Sequence, residues 1–318
     1  MNFFTTFVVM EQSEAIITVV IPVRNRADVV TRTLDSVLAQ RVRPLRLIVV
    51  DNGSTDTSQQ VVADWIDAHA APGFCIEFLS QPKPGANAAR NLGLEAVSTP
   101  WTLFFDSDDV MLPGHLERVI QGIKDHPEAD VLGWDVMGYA PDGSDRIQRF
   151  ETQNAPWHNI MHGSMATQRY CARTDLFRTA GGWDETLSTW DDIELATRIL
   201  SKKPCLVKLR GEPLVKMFRS EQSITGPSFA ASADNCCRAL KQMARVYPRL
   251  GPISHVAMKA VILAADSVRD GRADAVNIFK EALRTEPRAF NRMAYRLAYR
   301  WRMLGLRGAA RVFKPLLR

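Results

Sequence analysis

The feature that most constrains the fold is a series of short apolar runs that alternate with helical patterns. The runs are rich in β-branched and aromatic residues and lack polar alternation, which is typical of strands buried on both faces. They cover Ala15–Pro22, Leu45–Asp51, Phe74–Leu79 and Trp101–Asp106. Helical patterns lie between them, over Asp28–Gln40, Thr55–His69 and Asn87–Val97. The alternation predicts an α/β domain with a doubly wound, mostly parallel sheet.

After the alternating segment, the predicted secondary structure changes twice along the chain. The pattern from Val131 to Gln168 is irregular, and Asp191–Leu200 then reads as a helix with acids in its first turn. After Phe229 only helical patterns remain, and they cover Ala230–Val246, Ile253–Val268, Arg272–Arg284 and Arg288–Leu304. We therefore expect an N-terminal extension over 1–14, an α/β domain over 15–226 and an appended C-terminal helical region over 227–318.

Composition narrows the functional class. None of the five cysteines forms a Cys-x-x-Cys pair, so we expect a reducing, cytoplasmic environment. The formal charge of +5 is uneven: residues 288–318 contain nine Lys/Arg and no acid, which leaves 31 basic and 35 acidic residues elsewhere. We expect no nucleic-acid partner, since the basic character belongs to a tail.

We also expect no transmembrane segment, because no apolar stretch reaches the roughly 20 residues that a span needs.

Acidic residues follow the fourth apolar run, at Asp106-Ser-Asp108-Asp109. Carboxylates released into a turn at a strand end form an oxygen-rich site that suits Mg²⁺ or Mn²⁺ better than zinc. An ion there could bridge a substrate diphosphate and neutralise a departing phosphate. The alternative is a helix cap, with Pro113 opening the next helix.

Three further segments carry polar groups to predicted strand or helix ends. The loop that begins at Asp51 offers a carboxylate to a ribose or base, although it could be only a turn that caps the next helix. Arg90 lies one turn into a predicted helix and could reach a diphosphate; the alternative is an exposed arginine on an amphipathic helix. Asp192 at a helix start could serve as a general base, or could only complement the helix dipole.

The order and spacing of these motifs resemble family 2 glycosyltransferases from about Ile17 to Thr225. The matching segments are Val19–Arg26, Val50–Thr57, Ala89–Gly93, Phe104–Asp109, Gly181–Glu185 and Trp190–Arg198. The resemblance implies a GT-A-type fold and an inverting, metal-dependent, hexosyltransferase-like enzyme. It would act on a nucleotide-sugar donor, with a UDP-sugar favoured, and on a saccharide or lipid-linked acceptor in cell-surface polysaccharide or glycolipid synthesis.

The resemblance also implies a role for each matching residue. The implied roles are the nucleoside pocket for Pro22, Arg24 and Asp51, nucleotide contact for Arg90 and Asp106, Mg²⁺ or Mn²⁺ binding for Asp108, and the general base for Asp192. Two positions depart from the family pattern. Asn52 stands where the family often has a second Asp, and Ser220 stands where we would place a histidine.

Two other enzyme classes and one non-enzymatic function are weaker interpretations. Phe105–Val110 fits the Asp-x-Asp motif of haloacid-dehalogenase-like phosphatases, but that motif normally opens their fold and here follows three predicted strands. A dehydrogenase lacks support because no Gly-x-Gly-x-x-Gly follows the first strand. A catalytically inactive nucleotide-sugar-binding module would keep the donor site without turnover.

The C-terminal tail predicts a basic amphipathic helix. Arginines recur every four residues from Arg288 to Arg300, and a second stripe is apolar. The members of the apolar stripe are Phe290, Met293, Leu297, Trp301 and Leu304. Such a helix can lie in a membrane interface, so we expect peripheral contact through 288–318 with the inner face of the membrane. The alternative is that the stripe packs on neighbouring helices.

Overall fold

The computed structural model describes residues 15–140, 142–218 and 229–317. The described chain divides into two compact units. The first comprises 15–152 without residue 141, 165–186 and 203–218, and the second comprises 153–164, 187–202 and 229–317. The predicted extension over 1–14 and the predicted boundary near Gly226-Pro227 lie outside the described residues, so the domain division stays a prediction.

The first unit contains all the strands that the described residues form. In chain order they are β1 (Ile17–Val23), β2 (Leu45–Asp51), β3 (Phe74–Ser80), β4 (Trp101–Phe104), β5 (Val110–Met111), β6 (Val131–Gly133), β7 (Val136–Tyr139), β8 (Asp145–Gln148), β9 (Tyr170–Arg173), β10 (Leu206–Lys208) and β11 (Val215–Phe218). A seven-stranded sheet has the order β10-β6-β9-β4-β1-β2-β3, and a four-stranded sheet has the order β5-β11-β7-β8.

Strands β4, β1, β2 and β3 run parallel, and only β9 is antiparallel to its neighbours in the larger sheet. The predicted α/β class with a mostly parallel sheet is confirmed. Register fixes where the functional segments begin: Val23 lies opposite Asp51, and Val20 lies opposite Phe104. The carboxyl ends of β1, β2 and β4 therefore release their loops at one edge, where ligands bind in open α/β sheets.

Helices cover both faces of the larger sheet. In chain order, the helices of the first unit are α1 (Val30–Leu38), α2 (Ser58–His69), α3 (Ala86–Ala96), α4 (His115–Asp125) and, after one helix of the second unit, α6 (Thr174–Thr179). Val19 and Ile21 share a core with α1, α2 and α4. Val20 points to the opposite face, where a Cβ at Gly93 of α3 would lie 2.4 Å from its Cγ1. The sheet is thus doubly wound, as predicted.

The second unit is helical. Its helices are α5 (Ala155–His162), α7 (Asp191–Leu200), α8 (Phe229–Val246), α9 (Ser254–Arg269), α10 (Val276–Thr285), α11 (Ala289–Met303) and α12 (Ala309–Phe313). Their shared core contains large side chains from several helices, among them Trp157, Ile193, Met243, Val261 and Tyr295. The appended C-terminal helices are confirmed, and each predicted helix there matches an observed one. None of the helices in the described ranges is long and apolar enough to cross a membrane.

The stretch from Val131 to Gln168, irregular in sequence, in fact holds β6, β7, β8 and α5. These strands have three or four residues each, so too few side chains repeat for a period to show.

Candidate active site

The loops that follow β1 and β2 are tied to each other. The backbone N–H of Asn25 donates to Ser54 Oγ over 3.0 Å, and the N–H of Thr55 donates to Asn25 Oδ1 over 2.8 Å. Asn25 has a φ of 51°, a left-handed conformation that asparagine tolerates better than most residues. Pro22 is buried within β1, and Arg24 is exposed just beyond its end. The loop that carries Arg24 is therefore built on polar bonds to the next loop.

Asp51 is a buried carboxylate whose two oxygens differ. Oδ2 accepts hydrogen bonds from the backbone of Gly53 and Ser54 and from Gln59 Nε2, the last over 2.7 Å. Oδ1 is buried and has no hydrogen-bond partner among the described residues. An unsatisfied buried acceptor costs free energy, so Oδ1 is the oxygen of this carboxylate that still lacks a hydrogen-bond donor.

The side chain of Asn52 makes hydrogen bonds to the loop that leads into α3. Its side-chain amide donates to the carbonyls of Gln81 and Lys83 over 3.2 and 2.7 Å, and its Oδ1 accepts from the N–H of Gly85 over 2.8 Å. A carboxylate cannot donate, so aspartate could not make the first two bonds. The amide at this position therefore fixes the loop that leads into α3.

Arg90 on α3 is buried among specific partners. One nitrogen bonds to Asp106 Oδ1 over 2.8 Å, another bonds to Asn87 Oδ1 over 3.0 Å, and the guanidinium carbon lies 4.4 Å from the Trp183 ring centroid. The alternative of an exposed arginine on an amphipathic helix is therefore wrong. A charged guanidinium is buried only when it is paired, and its ring contact adds a cation–π interaction.

Gln168 joins two of the acids. Its side-chain amide donates to both Asp106 Oδ2 and Asp109 Oδ2, while Asp109 Oδ1 accepts from the N–H of Phe218 over 2.8 Å. Burial, with the charges of Asp106 and Asp108, raises the pKa of Asp109 well above its ordinary value. Gln168 was not predicted from the sequence, because it lies in the irregular stretch, 62 residues from Asp106.

Asp108, like Asp106, has a partly exposed carboxylate in this turn. Its Oδ2 lies 3.6 Å from an Arg26 nitrogen, and its backbone carbonyl accepts from Arg32 over 2.7 Å. Burial, followed by the charge of Asp106, raises the pKa of Asp108 above its ordinary value. The helix-cap alternative is wrong, because α4 begins at His115 after Gly114 and has no side-chain cap.

Oxygen donors and excess negative charge together fit a hard divalent cation. Asp106 and Asp108 supply carboxylate oxygens, and burial, followed by the charge of Asp106, raises the pKa of Asp108, an effect that a bound cation would oppose. Mg²⁺ and Mn²⁺ prefer such ligands. In the part of the chain that the structure describes, no three His, Cys, Asp or Glu side chains form a complete metal-binding group.

The Gly181–Glu185 segment is docked on α3. Asn91 accepts a hydrogen bond from the N–H of Trp183 over 2.8 Å and donates to its carbonyl over 2.9 Å. Gly182 has a φ of 65°, and a Cβ there would lie 2.8 Å from Asn91 Oδ1. Lys83 and Glu185 form an ion pair beside it. The segment thus holds the Trp183 ring against Arg90.

Asp192 belongs to the second unit and is described within it. It is half-buried in the first turn of α7, and its Oδ1 accepts from the N–H of Ile193 over 2.7 Å. Three acids lie in that turn, which also suits the helix dipole, so both interpretations of Asp192 stay open.

A family model described as glycosyl transferase family 2 matches residues 18–182, which include β1 to β4 and the Asp106–Asp109 turn. The chain belongs to glycosyl transferase family 2. The fold and the match together support a glycosyltransferase and not the phosphatase alternative. In this family 2 chain Asp106 follows the fourth strand, as expected, and does not open the fold.

Curated relatives cover only part of the chain. The pre-mycofactocin glycosyltransferase of Mycobacterium tuberculosis is 31% identical over 210 residues, which are 62% of this chain and 41% of that protein. Glycosyltransferase GlyA of Streptococcus pneumoniae is 31% identical over 115 residues, which are 36% of this chain and 16% of that protein. The chain thus spans about two fifths of the mycobacterial relative.

Solved structures share the fold at low sequence identity. S. aureus TarS 1-349 in complex with UDP-GlcNAc has a TM-score of 0.66 at 15% identity, covering 90% of this chain and 86% of TarS 1-349. The mannosyltransferase PcManGT of Pyrobaculum calidifontis, in complex with GDP-Man and Mn²⁺, has a TM-score of 0.58 at 18% identity, covering 91% and 83%. These similarities support the GT-A-like fold of the family 2 chain.

Replacing Asp108 by Asn should change how the stability of this family 2 protein depends on pH. A carboxyl whose pKa is raised on folding stabilises the protein at low pH and loses that contribution as pH rises through the folded pKa. We therefore expect Asp108→Asn to gain melting temperature relative to the wild type between about pH 4 and pH 8, in metal-free buffer. Asp67→Asn, at an exposed position on α2, is the matched control. A difference between Asp108→Asn and wild type that does not vary with pH would contradict the expectation.

Proposed function

We propose that this protein transfers a sugar from a nucleotide-diphosphate sugar to an acceptor hydroxyl with inversion of the anomeric centre. One observation carries the proposal: in a family 2 chain, a buried Arg90 pairs with Asp106 in the turn that also contains Asp108. This turn lies at the carboxyl edge of the parallel strands, where such folds bind ligands. Arg90 and Asp106 would contact the nucleotide.

The donor is a nucleotide sugar, with a UDP-sugar favoured. Solved neighbours are described with UDP-GlcNAc, with UDP and with GDP-Man. In this chain, the free Oδ1 of Asp51 is suited to a ribose hydroxyl or a base N–H. Pro22 and Arg24 would complete the nucleoside pocket at the end of β1. Because Asn52 is occupied by its own loop, we assign it no contact with the base.

A divalent cation, Mg²⁺ or Mn²⁺, would be held by Asp108 with Asp106 nearby. A neighbouring mannosyltransferase structure is described with Mn²⁺. When bound, the cation would neutralise negative charge on the donor diphosphate. The chain's own contribution is to hold the carboxylates in place: Arg90 and Gln168 orient Asp106, and Arg26 lies beside Asp108. The position of Ser220 lies outside the described residues, so the proposed loss of a histidine there stays a prediction.

Asp192 would act as the general base. Its carboxylate would accept the proton of the acceptor hydroxyl while the hydroxyl oxygen bonds to the anomeric carbon. The bond from that carbon to the diphosphate oxygen would break in the same displacement, and the electron pair would leave with the diphosphate. A single displacement on the opposite face inverts the configuration. The acceptor would be a saccharide or a lipid-linked glycan of cell-surface polysaccharide or glycolipid synthesis.

Asp192→Asn should keep donor binding and lose turnover by roughly 10²–10⁴-fold, the usual worth of a general base. The amide preserves the shape of the side chain but cannot accept the acceptor's proton at neutral pH. Turnover with a panel of nucleotide sugars and acceptors is the measurement, and Asp191→Asn is the matched control from the same helical turn. Near-normal transfer by Asp192→Asn, with a large loss in Asp191→Asn, would assign the base to Asp191.

A second proposal concerns the membrane. We infer that residues 288–318 make peripheral contact with an anionic membrane at its cytoplasmic face. The exposed fractions of Phe290, Met293, Leu297 and Leu304 are 53%, 41%, 38% and 77%, so these four side chains do not pack inward. The buried face of α11 is instead formed by Asn291, Ala294, Tyr295 and Ala298. The packing alternative is therefore wrong for Phe290 and Leu304, whereas Met293 and Leu297 are partly covered. Trp301 makes an edge-to-face contact with Phe313.

Charge around the exposed apolar stripe favours an anionic partner. Besides Arg288, four arginines of this region are exposed, namely Arg296, Arg300, Arg307 and Arg311. Arg302 is engaged by Asp266 and does not contribute. Each basic residue near an anionic surface contributes about 1 kcal/mol, so four residues with an apolar stripe suffice for measurable, salt-sensitive adsorption.

The protein should sediment with phosphatidylserine vesicles at low salt and be released at high salt, because surface charge is screened over about 8–10 Å near physiological salt. The double variant Phe290→Ser, Leu304→Ser should bind less, and so should Arg296→Gln, Arg300→Gln. Ile147→Ser removes an exposed apolar residue from the first unit and is the matched control. If the wild type ignores anionic vesicles at low salt, or if Ile147→Ser weakens binding equally, this surface does not bind membranes.

A further inference from the structure

Lys259 of α9 reaches two other segments of the second unit. Its Nζ donates to the carbonyl of Met161 in α5 over 3.1 Å, and lies 4.5 Å from the centroid of the Trp190 ring. Trp190 immediately precedes α7, and Met161 lies one residue before the end of α5. A single amine thus holds one helix end and one helix start.

Trp190 has an unusual backbone. Its φ of 57° and ψ of 19° place it in the left-handed region, which a bulky residue rarely occupies. Such conformations persist only when surrounding contacts hold them, and they concentrate at functional sites. The Trp190 ring is buried, and Lys259 supplies a cation on that ring. This contact therefore helps to fix the turn from which Asp191 and Asp192 begin α7.

Burying the Lys259 amine at this place costs free energy that a purely structural side chain would not. Burial lowers the pKa of Lys259 from 10.5 to about 8, although Cys236, Asp266 and Asp192 all act to raise it. An apolar side chain of similar length would fill this place without that cost. The titratable groups around the amine are Cys236 of α8, Asp266 of α9 and Asp192 of α7, and His162 follows Met161 in α5. Asp266 is already paired with Arg302.

We propose that Lys259 is a positioning residue that fixes the start of α7, and with it Asp192, by holding the Trp190 ring and the Met161 carbonyl. The proposal rests on the proposed function, in which Asp192 takes the acceptor proton. Protonated Lys259 makes the cation–π contact and places a positive charge near the Asp192 carboxylate. Loss of that proton weakens both effects, so turnover should fall on the basic side of its pH profile.

The test compares Lys259→Met and Lys259→Arg with the wild type, and uses Lys241→Met, at an exposed position on α8, as the control. Lys259→Met should lower kcat by about 10–100-fold, the scale of a small misplacement of a catalytic group, while the KM for the donor stays unchanged. Its basic limb near pH 8 should disappear. Lys259→Arg keeps the cation at all accessible pH values, so its basic limb should also be lost while more turnover remains. Wild-type kcat and pH profile in Lys259→Met, with hydrogen exchange at the start of α7 also unchanged, would overturn the proposal, and so would an unmoved basic limb in Lys259→Arg.

Hydrogen exchange separates this proposal from the assignment of Asp192. Amides of residues 190–195 should exchange faster in Lys259→Met than in the wild type, while those in the middle of α9 should not. Unchanged exchange at the start of α7 overturns the positioning role. Faster exchange together with unchanged turnover supports the positioning role and counts against Asp192 as the base.

Discussion

The ion pair between Arg90 and Asp106 is the interaction on which the rest of the first unit depends. It joins α3 to the turn after β4, and a guanidinium this buried needs all of its partners. α3 can come close enough only because Gly93 has no Cβ, which would lie 2.4 Å from Val20 Cγ1. The Trp183 ring then closes over the guanidinium, because Asn91 holds that segment on the same helix. The turn after β4, helix α3 and the Trp183 segment thus all contact the Arg90 guanidinium or lie on the helix that carries it.

Negative charge at this edge is not balanced within the turn. Arg90 and Gln168 satisfy Asp106, and Arg26 lies 3.6 Å from Asp108, yet burial, followed by the charges of neighbouring acids, raises the pKa values of Asp108 and Asp109. Clustered acids with raised pKa values are characteristic of sites that do chemistry, and here they are consistent with a place for a cation and a diphosphate.

Local sequence patterns predict much of this arrangement, but they do not predict which residues meet across long sequence separations. The central strands and the helices between them were predictable because fully buried runs and amphipathic periods are local signals. Asp106, Asp108 and Arg90 were predictable because the order and spacing of their motifs resemble those of family 2 glycosyltransferases. Gln168 could not be found, since its role comes from a contact across 62 residues. The role of Asn52 was also hidden, because only the folded loop shows that its amide donates to Gln81 and Lys83. The four-stranded sheet was missed because β5 has two residues.

Thermal unfolding in the presence of nucleotide sugars measures whether the Arg90–Asp106 turn recognises the donor. A ligand at 100 times its Kd stabilises a protein by about 2.7 kcal/mol, which is easily seen as a shift in melting temperature. We expect a shift with at least one nucleotide sugar, larger with Mn²⁺ present. The shift should be lost in Asp106→Asn, which keeps the side chain's shape but removes its charge. No shift with any nucleotide sugar, or an equal shift in wild type and Asp106→Asn, would contradict this expectation.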